Sequence, residues 1–301
     1  MDRLEAMFVL QTVVSEGSLS AAGRKLGMPL ATVSRKISEL ETHLNARLLH
    51  RSTRQLQLTD AGHEYVIACK RILEEVHEAE RAVSGEYTAP RGDLIITAPI
   101  VFGRLHLLPI VIAFLRTYPE VNVRLLLGDR TASLLEDRID LALRIGELGD
   151  SSLSATRVGK TRRVVCGHPD YFKERGMPSV PDDLSFHQCI SFDAMTSAEA
   201  WPFKINKGEV TVPIGTRMSV NTAEAAIDAA CAGFGITRVL SYQIAKPLKA
   251  GLLSIALPEY ELSPMPVHLV YSRQGRLPVK LRAFLDYAQP ILREILHDPV
   301  V

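Results

Sequence analysis

Residues 18–60 hold two short helical periods with a brief joint between them, and that spacing admits few folds. Ser18 is a capping residue ahead of a helix over 19–26, and Ala21 and Ala22 are small enough for a second helix to cross closely. Gly27 accepts a backbone turn that other residues resist. Pro29 suits a first helical turn, where its missing N–H would have been unpaired. From 30 to 44 the apolar residues Val33, Ile37, Leu40 and Leu44 recur at spacings of 4, 3 and 4, one face of a helix. Asn45, tolerant of the left-handed conformation, marks its end. Leu48-Leu49, then Arg51-Ser52-Thr53-Arg54-Gln55, then Leu56-Gln57-Leu58 read as strand, tip and strand. In this order the elements make a winged helix-turn-helix, a device that lays its second helix in a DNA major groove.

Charge supports that reading. Seven basic residues lie between Arg24 and Arg54 (Arg24, Lys25, Arg35, Lys36, Arg47, Arg51 and Arg54), opposed there by Glu39 and Glu41, while the whole chain carries a formal charge of only +1. A local basic patch is the electrostatic footprint of phosphate binding. Taken singly, Arg35 or Lys36 reads as part of an ordinary solvated helix face; the constellation is what points to DNA.

The segment resembles the amino-terminal domain of LysR-type transcriptional regulators. The resemblance rests on Phe8 and Val13-Val14, on Glu16-Gly17-Ser18-Leu19-Ser20-Ala21-Ala22 with Leu26-Gly27, on V-S-R-K-I-x-x-L-E from Val33, on L-x-x-R-L-L-x-R-S-T-R from Leu44, and on L-T-D-A-G from Leu58. It implies a DNA-binding set of Ser18, Leu30, Ala31, Thr32, Ser34, Arg35, Lys36, Arg51, Thr53 and Arg54. Within that set Leu30, Ala31, Thr32 and Arg35 fall on base-reading positions, and Arg54 on the wing arginine that enters the minor groove. Many relatives carry a polar residue where Leu30 stands. Leu30 and Ala31 offer only apolar contact, as with a thymine methyl, so readout leans on Thr32, Arg35, Arg54 and DNA shape. Ser34 fits a phosphate contact or a hydroxyl bonded to its own helix.

A long helix is expected from Asp60 to about Tyr87, without proline and with Gly85 at its end. Tyr65, Cys69, Ile72, Val76, Ala79 and Val83 alternate at spacings of 4 and 3, a heptad seam. At 1.5 Å per residue it would run about 40 Å. Self-association is the favoured reading of the seam, packing on its own domain the other. A two-fold dimer implies a partly palindromic operator, and the resemblance makes this segment the family's linker helix.

Residues 86–91, containing Thr88-Ala89-Pro90, read as a hinge. Beyond it strand and helix signals alternate: strand 94–97, loop 99–103, helix 105–118, strand 121–127, helix 131–138 and strand 140–145. A second set begins at 162–166, with helices near 171–175 and 223–231, a strand at 236–239, a strand at 267–271 and a closing helix at 279–295. Such alternation predicts a mostly parallel sheet, and the length suits two subdomains around a cleft. The words I-T-A-P-I-V-F-G-R-L at Ile96, Y-P-E-V-N-V at Tyr118, D-L-A-L-R-I-G at Asp140, V-V-C-G-H-P-D-Y at Val164, V-N-T-A-E-A-A at Val220 and A-G-F-G-I-T at Ala232 resemble the family's effector domain. That implies a type 2 periplasmic-binding-protein-like α/β fold. The expected division is 1–59 winged helix-turn-helix, 60–87 linker and dimerisation helix, and 88–301 effector-binding domain. Its subdomains would be 91–161 with 267–301, and 162–266.

In open α/β sheets ligands sit beyond the carboxyl ends of the strands. That places Thr97, Ala98, Pro99 and Ile100 at the cleft mouth with a helix N-terminus, which favours anions. Gly128, Asp129 and Arg144 join them, the last as a carboxylate clamp or as the partner of Asp140 or Glu147. His168, Asn221, Thr222 and Gly233 to Gly235 face them from the other subdomain, though an ordinary surface or helix-cap histidine before Pro169 is the favoured reading of His168. A small organic effector follows, anionic or polar, and no other cofactor.

No cleavable signal, membrane-length apolar run, P-loop, zinc-protease or nucleophile-elbow motif is found. Cys69, Cys166, Cys189 and Cys231 lack metal-ligand spacing and fit a reducing cytoplasm. Trp201, the one tryptophan, is expected in packing. The expected partners are double-stranded promoter DNA, further copies of the chain as dimer or tetramer, RNA polymerase and the effector. A solute-binding protein or a cleft enzyme without a DNA role is the competing class; no nucleophile–base pair supports the enzyme.

Overall fold

The computed structural model describes residues 1–50, 56–84, 89–129, 134, 139–149, 153–192, 200–206, 208–272 and 277–297, with backbone alone at 71, 74, 75, 78, 79 and 81–84. The chain forms two compact units, Met1–Thr88 and Ala89–Val301.

The first unit contains α1 (Arg3–Glu16), α2 (Leu19–Leu26), α3 (Leu30–Leu44), the short strands β1 (Leu49–His50) and β2 (Gln57–Leu58), and α4 (Asp60–Ser84). Local chemistry sets the boundaries. Asp2 caps α1 by accepting from the N–H groups of Leu4 and Glu5, and Ser18 Oγ caps α2 by accepting from Ala21 N at 3.1 Å. Gly27, at φ 63°, closes α2, and Asn45, at φ 49°, closes α3. Pro29 stands one position outside α3, and its carbonyl accepts from Val33 N at 3.1 Å. The core joins Ala6, Val9, Leu10 and Val13 of α1 to Val33, Ile37 and Leu40 of α3, with Leu48 and Cys69. β1 pairs antiparallel with β2, Leu49 opposite Leu58.

The second unit runs β3 (Gly92–Ala98), α5 (Ile100–Phe102), a π-helical turn (Gly103–Leu107), α6 (Leu108–Thr117), β4 (Val121–Leu127), β5 (Leu141–Ile145), β6 (Leu153–Thr161), β7 (Arg163–Gly167), α7 (Pro169–Arg175) and a 3-10 turn (Pro181–Phe186). It continues with β8 (Cys189–Phe192), β9 (Ala200–Ile205), β10 (Gly208–Pro213), β11 (Thr216–Val220), α8 (Ala223–Cys231), β12 (Ile236–Leu240), α9 (Ser241–Lys249), β13 (Ser254–Ala256), a 3-10 turn (Pro258–Tyr260), β14 (Met265–Ser272) and α10 (Val279–Ile295). One sheet has the order β4-β3-β5-β14-β6 and the other β11-β8-β12-β7-β13. Between them the chain passes once at Arg162 and once in the segment leading to β14. The Arg162 guanidinium binds Glu261 at 2.9 Å, so the two passages are tied to each other. Ser241 Oγ adds a 3.1 Å contact to Thr161 Oγ1.

Several expectations need correcting. Each sheet is mixed rather than purely parallel: four of its five strands run one way and a single strand, β14 in the first and β7 in the second, runs antiparallel to both of its neighbours. The cause is the double passage, which returns the chain into each sheet reversed. Residues 99–103 are not a loop, since helix begins at Ile100. Gly103 breaks nothing there; it lets the helix approach β4, where a Cβ would stand 2.2 Å from the Leu127 side chain. By length and composition alone the stretch Ile100–Thr117 could cross a membrane. Its Val101, Phe102, Leu107, Ile110, Val111 and Phe114 are buried in the core of this unit. The helix expected at 131–138 falls outside the described residues, Leu134 apart.

Candidate nucleic-acid interface and effector cleft

α3 turns Val33, Ile37 and Leu40 inwards, so the 3.6-residue period must present the intervening positions outwards. Leu30, Ala31, Ser34 and Arg35 are exposed, and Thr32 is half-buried. Arg35, with 68% of its side chain exposed, reaches Glu39 one turn on at 3.6 Å, a weak surface pair that DNA phosphate can displace. Ser18 is engaged as the α2 cap. Arg51, Thr53 and Arg54 lie outside the described residues.

Lys36 does not belong to the exposed set. Its side chain is 18% exposed, and its Nζ binds Glu5 of α1 at 2.5 Å. At this period Lys36 points sideways towards α1, and the ion pair straps α1 to α3. Lys36→Ala is therefore expected to lower stability by about 0.5–1 kcal/mol while changing operator affinity far less than a substitution at Arg35. Urea unfolding and a DNA titration on the same variant measure the two effects.

Glu41, opposed in charge to the basic patch, organises the ribbon. Buried in the head, it accepts from Leu48 N at 2.8 Å and Leu49 N at 3.2 Å, and Arg47 contacts its second oxygen at 3.2 Å. One carboxylate thus fixes the start of the wing relative to α3.

The proposed dimer seam also changes. Cys69 is fully buried in the core of its own head, and Tyr65 packs against that core. Burial pushes the Cys69 thiol up to about 11. The 4-and-3 spacing there serves packing within the unit, because α4 lies against α1 before it runs on. Ile72 and Val76 are half-buried, and the side chains of Ala79 and Val83 are outside the described set. Leu4, Phe8 and Ile67 are exposed on the same two helices.

In the second unit, Thr97 and Ala98 are buried at the end of β3, with Pro99 and Ile100 half-buried beyond. The parallel pairing of β3 with β4 brings Gly128 and Asp129 beside them, and Gly128 N binds Ala98 O at 3.0 Å. The N-terminus of α5 is not open to an anion: Ile100 N donates to Asp129 Oδ1 at 3.1 Å. Burial, with Glu224 nearby, holds the Asp129 carboxyl above its ordinary range. Glu224, in the first turn of α8 behind the Thr222 cap, meets Arg104 at 3.5 Å. Phe102, His106 and Tyr242 stack close by, with ring centroids 5.0–5.7 Å apart. The mouth is thus lined by carboxyls as well as by cations. Asn221 is exposed beside it. Arg144 is half-buried on β5, and burial lowers its pKa. Asp140, one of its suggested partners, accepts from Ile95 N at 2.7 Å.

His168 does not face the mouth. Its Nδ1 accepts from Asp170 N at 3.1 Å and caps α7. β7 is antiparallel to β12, with Gly167 opposite Ile236, so His168 and Gly233 to Gly235 lie at the end of the sheet away from Val220 and Thr222. Strand direction decides this, and spacing along the sequence does not carry it.

His106 gives the site a pH dependence. Burial lowers its pKa from 6.5, so the unfolded chain binds its proton more readily, and stability falls as pH drops below 6.5. His187 has the same sign, and Asp129 the opposite one at more acid pH. Melting between pH 7 and 5 should therefore show a shallower slope for His106→Gln than for the unaltered protein.

Fold and site together define a DNA-binding head on a two-sheet sensory unit, and the comparisons agree. Residues 4–63 match the bacterial regulatory helix-turn-helix protein, lysR family, and residues 88–293 match the LysR substrate binding domain. The chain belongs to the LysR family of bacterial transcriptional regulators and is not an enzyme. An HTH-type transcriptional repressor of Pseudomonas aeruginosa is 33% identical over 98% of this chain and 93% of its own length. The HTH-type transcriptional activator AaeR of Escherichia coli is 33% identical over 95% and 93%. The structure of CrgA, a LysR-type regulator of Neisseria meningitidis, superposes with a TM-score of 0.62 at 30% identity, covering 98% of this chain and 99% of that one.

Proposed function

We propose that this regulator binds promoter DNA as a dimer, or as a tetramer built from two dimers, and adjusts RNA polymerase recruitment in the cytoplasm in response to a small organic effector. The reading-head function is assigned to 1–59, coupling and self-association to 60–87, and effector binding to 88–301. The observation that carries it is the exposed run Leu30, Ala31, Ser34 and Arg35 above a buried Val33–Ile37–Leu40 face. Exposed Leu4, Phe8 and Ile67 supply the apolar surface for a partner copy, a role that the buried Cys69 cannot fill. The effector sits between Pro99, Ile100, Gly128, Asp129 and Arg144 on one side and Asn221, Thr222 and Glu224 on the other, and binding shifts the population of domain closures.

The experiment is titration of the DNA upstream of its own gene across salt concentrations. The expected result is two protected half-sites and an affinity falling linearly on log–log axes, with a slope of about −0.9 per neutralised phosphate. Failure to protect any part of that region at low salt would refute the proposal.

A further inference from the structure

The second sheet carries two guanidiniums on the face turned to the β9–β10 hairpin. Register assigns the face. Val165, Cys189 and Ile236 pack with Trp201 and Phe203, whereas Val164, Cys166, Ile190, Phe192 and Val239 pack on the opposite side. Alternation therefore puts Arg163, Ser191 and Arg238 on the hairpin side. Arg238 stands opposite Val165 and Arg163 opposite Leu240, so the two arginines are diagonal neighbours. One more step of the β12–β8 pairing sets Ser191 beside Arg238.

Arg238 and Ser191 are buried and Arg163 is half-buried, with no counter-charge among the described residues. Arg238 is 7% exposed and Ser191 1%, and neither the Arg238 Nη1 nor the Ser191 Oγ has a hydrogen-bond partner. Among the described residues neither arginine forms an ion pair. The Arg238 guanidinium lies 5.5 Å from the centroid of the Phe203 ring, which holds it in place without neutralising it. Burial and the Arg163 charge pull Arg238 down to about 9, and burial lowers Arg163 as well. A buried guanidinium with a like charge beside it and an idle hydroxyl is unfavourable unless an anion joins them.

We propose that Arg238, Arg163 and Ser191 form a binding site for a small oxyanion group, carboxylate or phosphate, on the hairpin face of the second sheet. A guanidinium fork and a hydroxyl are the donors that such a group takes. None of the residues assigned to the effector mouth lies on this face, so the site stands or falls separately from that reading.

Trp201, the chain's one tryptophan, packs in the cluster lining this face and reports on it directly. Full-length protein is titrated with sodium phosphate and, separately, sodium acetate, with sodium chloride holding ionic strength constant. The expected result is a saturable change in tryptophan emission with at least one of the two salts, accompanied by a rise in melting temperature. The arm that responds identifies the source of the oxyanion. Arg238→Met should weaken the response by roughly tenfold or more, and Ser191→Ala should weaken it less. Because Arg238→Met removes an uncompensated charge, its ligand-free melting temperature should not fall. If it does not fold, Arg238→Lys, which keeps the charge but loses the fork, must still weaken binding. No saturable change with either salt, or an equal midpoint in the Arg238 and Ser191 variants, overturns the proposal.

Discussion

Gly62→Ala is expected to unfold the amino-terminal unit. Gly62 lies in the first turn of α4, where an alanine Cβ would stand 2.0 Å from the Leu48 carbonyl oxygen and 2.9 Å from its carbon. Both are backbone atoms held from several sides. Leu48 N is bound to Glu41, Leu48 O accepts from Thr59 N at 3.0 Å, and Thr59 Oγ1 donates to Arg47 O at 2.6 Å. Neither the wing nor the helix start can retreat without breaking these bonds. The cost should be about 3 kcal/mol or more, the upper end of overpacking effects. Gly27→Ala is the contrast: nothing lies within 4 Å of its Cβ, so only the strain of φ 63° remains, about 1 kcal/mol. Urea unfolding of full-length variants, with proteolysis of the head as a second readout, should rank them in that order. A Gly62→Ala protein that melts as the unaltered one does would refute the close approach.

Arg35→Ala is expected to weaken operator binding by about 1–3 kcal/mol, roughly 5- to 150-fold. Arg35 is the most exposed cation of α3, and its partner Glu39 contributes little in water. If the guanidinium reads a base, discrimination at one operator position relaxes and the salt slope stays; if it meets a phosphate, all sequences weaken alike and the slope drops by about 1. Anisotropy titrations against single-base operator variants separate the two. Equal losses for Arg35→Ala and Lys36→Ala would contradict the division of labour between an outward arginine and an inward lysine.

The sequence is most legible where local chemistry and helical period agree. α3, α8 and α10 begin and end where their caps and apolar spacing place them. α1 escapes notice because its apolar residues surround it, Ala6, Val9, Leu10 and Val13 facing in while Leu4 and Phe8 face out. In α4 the same alternation fits an intramolecular contact and a dimer seam, and only coordinates show Cys69 inside the head. The strands β8 to β11 stay hidden because β8 is only four residues, Pro202 falls inside β9, Pro213 ends β10, and β11 is mostly exposed, without the alternation that marks a half-buried strand. His168 was misplaced because the direction of β7 depends on a passage between sheets that no local signal encodes. Arg163, Arg238 and Ser191 are unremarkable as letters; their interest comes from register and burial together.

The central claim is that the outward face of α3 lies in the major groove of the operator. Thr32→Cys, labelled with an iron–chelate cleavage reagent and bound to the upstream DNA, tests it directly, with identically treated unaltered protein as baseline. The account predicts strand cleavage confined to the major groove within each protected half-site. Cleavage no greater than the baseline in a complex that still protects its DNA would contradict it.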